Sequence, residues 1–164
     1  PVPMELALAI ARRESEFDHR VSSHVGAEGL MQLMPGTAAD MARDLGLDHD
    51  RARVLTDWDY NARLGSAYLA YLADRFDGNI VMMAAGYNAG PARPDRWIDR
   101  FGDPRRGAMD VVDWIEHIPF RETRNYVMRV AESLPVYRAR LGRDPHPVPF
   151  SQELILPTIR PKLD

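Results

Sequence analysis

Across residues 4–141 the apolar side chains recur at the three-to-four-residue spacing of helices, and no convincing run of alternating β-branched residues interrupts them. That property restricts the fold to helices packed on helices, because each apolar stripe must be buried against another element. Composition supports such a core. The chain has 164 residues, the size of one ordinary domain, and its hydrophobic (45%) and charged (27%) fractions are close to the globular average. A net charge of -3 gives no electrostatic case for binding nucleic acid or an anionic membrane surface. The absence of cysteine removes disulfides, thiolate nucleophiles and sulfur-based zinc sites, and leaves the compartment open. The longest apolar runs, 6–11 and 80–86, are far too short to span a bilayer. No signal peptide is visible, and the chain opens on Pro1 in mid-pattern, so it reads as an excised domain.

The pattern predicts a first helix over 4–17, then a loop over 18–36 punctuated by Gly26, Gly29, Pro35 and Gly36. Thr37 opens a short helix, with Asp40 at capping-box distance and Gly46 just past its end. A long helix follows over 58–76, with Thr56 and Asp59 at capping spacing and Leu64, Tyr68, Tyr71 and Leu72 as its stripe. Asn79 caps a helix over 80–87 that is apolar on nearly every side and is therefore expected to be central. Asn88-Ala89-Gly90-Pro91 breaks it. Pro94 then falls in the first turn of a short helix ending at Gly102. Further helices are expected over 110–118 and 121–141, the latter kinked at Pro135. The domain organisation expected is one helical domain over 1–142. A proline-rich tail over 143–164 would lie extended on the surface or against a neighbouring domain.

Within the first helix, Leu6, Ala7, Ile10 and Phe17 form one arc and Glu14 lies inside it, whereas Glu5, Arg12 and Glu16 gather on the opposite face. A carboxylate turned toward a core pays desolvation, which favours its neutral form, and that is the form a general acid needs. The plainer reading places Glu14 at the edge of the stripe, paired with an arginine or reaching to water. Several chemistries are excluded first. The five histidines show no metal-ligand spacing, and there is no GxSxG elbow or glycine-rich phosphate loop. What remains is polar groups where helices stop. Each has a dull explanation: Gln32 can satisfy loop backbone, Asn88 can cap a helix, Met34 can fill the core, and Glu122 can place charge at a helix N-terminus.

Taken in order, ARRESEF, GAEGLMQLMPGTA, AAGYNAGP and IPFRETRNYV resemble one family, the soluble lytic transglycosylases of glycoside hydrolase family 23, over about 1–141. The resemblance implies a mainly α, lysozyme-like domain with a Gly-rich loop region, a substrate cleft and little or no β-sheet. It implies that Glu14 is the single catalytic acid and Ser15 its supporting neighbour. Ser23, Gln32 and Met34 would line the sugar-binding cleft, with Tyr87, Asn88, Glu122 and Tyr126 as further substrate-binding residues. It also implies a glycan strand of peptidoglycan as partner, no cofactor or metal, a periplasmic or cell-envelope location and a large helical domain preceding this one in the full-length protein. Pro94 and Pro135 depart from the family pattern at the periphery.

The motifs present one acid and no obvious carboxylate pair, unlike ordinary glycosidases. A one-acid site fits a substrate that supplies its own nucleophile. The expected reaction therefore cleaves the β-1,4 bond between N-acetylmuramic acid and N-acetylglucosamine and leaves a 1,6-anhydromuramyl end. Two rivals share the motifs: a goose-type muramidase that hydrolyses the same bond, and a glycan-binding module without chemistry.

Overall fold

The computed structural model describes residues 2–159; positions 160–164 of the expected tail lie outside the described residues. The chain divides into two compact units, Pro1–Tyr71 and Leu72–Asp164. Among the described residues there is no β-strand, only isolated antiparallel bridges joining Ser22 to Glu28 and Glu28 to Leu33. No helix among them is long and apolar enough to cross a membrane.

In the first unit, α1 (Met4–Ser15) buries Leu6, Ala9 and Ile10. It stops two residues short of its expected end, because Glu16 and Phe17 both adopt left-handed backbone, with φ of 53° and 65°. Phe17 is thereby taken off the apolar arc and is 42% exposed, whereas Glu5, expected on the solvent face, is buried. Helix α2 (Pro35–Asp44) begins earlier than the Thr37 start, and no side chain caps it. Pro35 occupies the first helical position, where its fixed φ is preorganised and its missing N–H costs nothing. At the other end Gly46 (φ +67°) turns the chain, and the Leu47 N–H donates to the Ala42 carbonyl.

A short helix, α3 (Arg51–Thr56), has no counterpart in the sequence reading, since six residues are too few to show a period. It changes the cap assigned to the next helix, α4 (Trp58–Arg75). The Thr56 hydroxyl donates back to Ala52 within α3. Asp57 supplies the cap instead, accepting from the N–H groups of Asp59 and Tyr60 at 3.1 Å each. Those bonds, the Tyr60 N–H first and the Arg53 guanidinium next, hold the Asp57 carboxyl below the usual carboxylate range.

In the second unit, Asn79 caps α5 (Ile80–Ala89) by accepting from the Met82 N–H at 3.0 Å. Every residue from Ile80 to Gly86 is buried, as an all-round apolar helix requires. Helix α5 packs on α6 (Ala92–Phe101) and on α8 (Arg121–Arg140). Gly86 lets the end of α4 approach, since a Cβ there would sit 3.0 Å from the Phe76 ring and 3.3 Å from Leu72. Pro94 falls in the first turn of α6, where no N–H is needed. Asp110 caps α7 (Val111–His117), and α8 continues through Pro135.

One turn of helix, α9 (Phe150–Glu153), interrupts the proline-rich stretch. Leu154 and Ile159 beyond it are buried. Asn79 Nδ2 donates to the Leu154 carbonyl (3.0 Å), and the Ile159 N–H donates to Gly78 (2.9 Å). Arg138 forms a two-pronged pair with Glu153 in which both side chains are almost wholly buried. In the same unit, burial works to raise the Asp103 carboxyl, but hydrogen bonds from the Arg105 side chain and N–H, with the charges of Arg105 and Arg106, outweigh it and hold the group low.

Candidate functional site

The candidate residues fall into two sets, one in each unit. In the first unit, Glu14 is half-buried in the last turn of α1. The unpaired carbonyls at a helix C-terminus make this a poor place for negative charge. Ser15, next to it, is buried, and its hydroxyl lies 2.6 Å from the Leu30 carbonyl and 3.2 Å from that of Ala11. One hydroxyl has one proton, so the shorter contact is the hydrogen bond. It ties the turn that carries Glu14 to the Gly-rich loop.

That loop is held by backbone bonds, such as those exchanged between Glu28 and Leu33, and by side chains. Gln32 has left-handed backbone (φ 50°), and its Nε2 donates to the carbonyls of Val21 (2.8 Å) and Gly29 (2.9 Å). Both contacts are to carbonyl oxygens, so the nitrogen end of the amide is identified and both its protons are used. The Gln32 Oε1 is left as the group able to meet a ligand. Ser23 Oγ accepts from the Ala27 N–H at 3.0 Å, which makes it a loop brace as well as a candidate contact. Met34 is 44% exposed at the entry to α2, so it does not fill the core.

Asn61 is a residue that sequence reasoning missed. It is fully buried, accepts from the Met31 N–H (2.9 Å) and donates to the carbonyls of Glu28 (2.9 Å) and Val54 (2.8 Å). Gly29 makes room for it. A Cβ there would come within 2.3 Å of the Asn61 amide, and its φ of +80° suits glycine. A signal was present: Asn61 precedes Leu64 and Tyr68 at helical spacing, a polar residue on an apolar stripe like Glu14. An apolar groove of about 800 Å³ in the same unit is lined by Ala7, Ala11, Leu30, Trp58 and Ala62, and Glu14 is not among its walls.

In the second unit, Tyr87 and Asn88 are half-buried at the end of α5, and Tyr126 is buried on α8. Glu122 is exposed in the first turn of α8, where its charge suits the helix N-terminus. The bond that joins these helix ends comes from Thr123, also missed. Its hydroxyl donates to Asn88 Oδ1 at 2.7 Å, and the residue is 2% exposed. Thr123, Tyr126, Val127 and Val130 share the buried stripe of α8, so periodicity could have singled it out. Among the described residues, no group of three or more His, Cys, Asp or Glu side chains is placed to hold a metal ion.

The family model described as the transglycosylase SLT domain matches residues 1–109. The soluble lytic murein transglycosylase of Escherichia coli K12 is 39% identical over 145 residues, which is 88% of this chain and 22% of that protein. The chain thus spans about a fifth of the length of the curated relatives it matches. Among solved structures, the 70 kDa soluble lytic transglycosylase of Escherichia coli superposes with a TM-score of 0.81 at 38% identity, covering 88% of this chain and 23% of that one. An inactive glutamate-to-glutamine mutant of lytic transglycosylase Slt from Pseudomonas aeruginosa gives 0.76 at 39% identity, covering 85% and 22%. The fold class is accordingly mainly helical and lysozyme-like, as the motifs implied.

Proposed function

The chain belongs to the transglycosylase SLT domain family, and from that premise we propose that it is a peptidoglycan lytic transglycosylase domain using Glu14 as its one acid and base. The observation that carries this reading is the setting of Glu14. It sits half-buried in the last turn of α1, and Ser15 ties that turn to the loop bearing Gln32 and Met34. In this reading the Glu14 carboxylic acid protonates the oxygen linking N-acetylmuramic acid to N-acetylglucosamine, and the C1–O bond breaks. The carbonyl oxygen of the 2-acetamido group stabilises the positive charge developing at C1. The Glu14 carboxylate then takes the proton of the C6 hydroxyl on the same muramyl ring, and that oxygen closes on C1. The acid is regenerated, a 1,6-anhydro end forms and no water is consumed. Ring closure is intramolecular, so orientation replaces a bimolecular encounter.

Gln32 offers an acceptor suited to a sugar hydroxyl or acetamido N–H. Ser23, Met34, Tyr87, Asn88, Glu122 and Tyr126 complete the proposed sugar-binding set. The same reading takes 1–142 as the catalytic domain and 143–164 as its C-terminal tail. It makes peptidoglycan glycan strands the partner and the periplasm or cell envelope the place of action. Glu14→Gln tests it, since this keeps the shape and removes the transferable proton. Release of soluble fragments from cell-wall sacculi should fall by roughly 10²- to 10⁴-fold, with the thermal melting temperature unchanged. Release at the wild-type rate would remove Glu14 from the chemistry.

A further inference from the structure

We propose that Thr123 is a positioning residue that fixes the polarity of Asn88, so that Asn88 presents a hydrogen-bond donor to the carbonyl oxygen of an N-acetyl group. This rests on the proposed glycan substrate and deepens it.

An asparagine amide has an oxygen end that accepts and a nitrogen end that donates, and a half-turn of the side chain exchanges them. Whatever holds one end therefore decides what the other can bind. Here the Thr123 hydroxyl donates to Asn88 Oδ1 at 2.7 Å. The opposite arrangement, with the amide donating to the hydroxyl oxygen, would leave the Thr123 proton needing another acceptor. Thr123 is 2% exposed, so water is a poor substitute. A buried donor without a partner is costly, and that cost selects the orientation present. The Asn88 NH₂ then has no protein partner among the described residues, on a residue that is half-buried. It is a donor held ready for an acceptor.

The setting keeps this arrangement fixed. Asn88 lies in the last turn of α5, whose residues Ile80–Gly86 are buried, and Thr123 lies in the first turn of α8, which packs on α5. The open NH₂ offers two donor protons, so a ligand carbonyl oxygen is the group matched to it. Of the groups on an N-acetylglucosamine ring, the N-acetyl carbonyl is the strongest such acceptor.

The test measures the affinity of the intact chain for the N-acetylglucosamine tetramer and for the glucosamine tetramer by titration calorimetry. Thr123→Val keeps the shape and removes the hydroxyl. It should weaken binding of the acetylated tetramer about tenfold and leave the deacetylated one unchanged, while Thr123→Ser restores wild-type affinity. In an Asn88→Ala background, Thr123→Val should have no further effect. Equal loss for both tetramers, no loss for either, failure of serine to rescue, or an undiminished effect in the Asn88→Ala background would each overturn the proposal. Turnover separates it from the broader reading. Sacculi left intact by wild-type protein would sink the transglycosylase assignment, yet the acetyl-dependent effect of Thr123→Val would still stand.

Discussion

In the Pro1–Tyr71 unit the candidate residues are held by side chains bonded to backbone: Ser15 to Leu30, Gln32 to Val21 and Gly29, Asn61 to Glu28, Met31 and Val54. In the Leu72–Asp164 unit the candidate Asn88 is held by another side chain, Thr123, and Arg138 pairs with Glu153 in the same way, beside side-chain-to-backbone bonds such as those of Asn79. The difference follows from the backbone. A Gly-rich loop leaves its own N–H and C=O groups without helical partners, so side chains supply those that the loop's own backbone bonds do not. Helices satisfy their own backbone, which frees side chains to bind one another or a ligand. The same contrast explains why both Gln32 donor protons are spent on the fold whereas the Asn88 amide keeps its NH₂ open.

The contrast is sharpest where single bonds can be removed. Arg138→Ala leaves Glu153 charged and buried alone, and should destabilise the second unit by about 3–5 kcal/mol in denaturant unfolding. Replacing the pair together, Arg138→Met with Glu153→Leu, should be close to neutral. Equal losses for the single and double variants would show that the pair does not act as a unit. Asn61→Ala removes three hydrogen bonds to backbone at once, although the Glu28 carbonyl keeps the Leu33 N–H, and should cost about 3 kcal/mol. Hydrogen exchange should locate the loss in the loop, with Met31 N–H protection falling first. Uniform loss across the chain would mean that Asn61 supports the core rather than the loop. Ser15→Ala removes one bond to Leu30 and should lower stability by about 1 kcal/mol. Its effect on sacculus cleavage should be proportionately larger, because that bond ties the Glu14 turn to the loop.

The smallest effect concerns pH. Asp103 is held low in the folded chain, so its contribution is present above the ordinary carboxylate value, about pH 3.9, and is lost as pH falls through the folded value. Acid melts should therefore show a small stability loss below that point that is absent in Asp103→Asn. An identical acid profile in the variant would remove Asp103 from the account.

Long-range order in the sequence was legible because it is periodic. The central place of α5 follows from seven consecutive small or apolar residues, and the Asn79 cap and Gly46 stop follow from local chemistry. Short or non-periodic features were not. Helix α3 has too few residues to reveal a repeat, and its absence shifted the α4 cap from Asp57 to Thr56. The end of α1 turns on left-handed backbone at Glu16 and Phe17, which neither residue type announces. The candidate site divides the same way. Glu14, Gln32 and Asn88 stand out as polar residues where helices stop. Asn61 and Thr123 lie on apolar stripes, and their role depends on long-range partners 30 or more positions away.

The most direct test of the central claim is the mass of the products released from purified peptidoglycan by wild-type protein. A single acid that serves its substrate's own C6 hydroxyl predicts muropeptides ending in 1,6-anhydromuramic acid. Products heavier by one water, with a reducing muramic acid end, would contradict it and identify a hydrolase on the same fold.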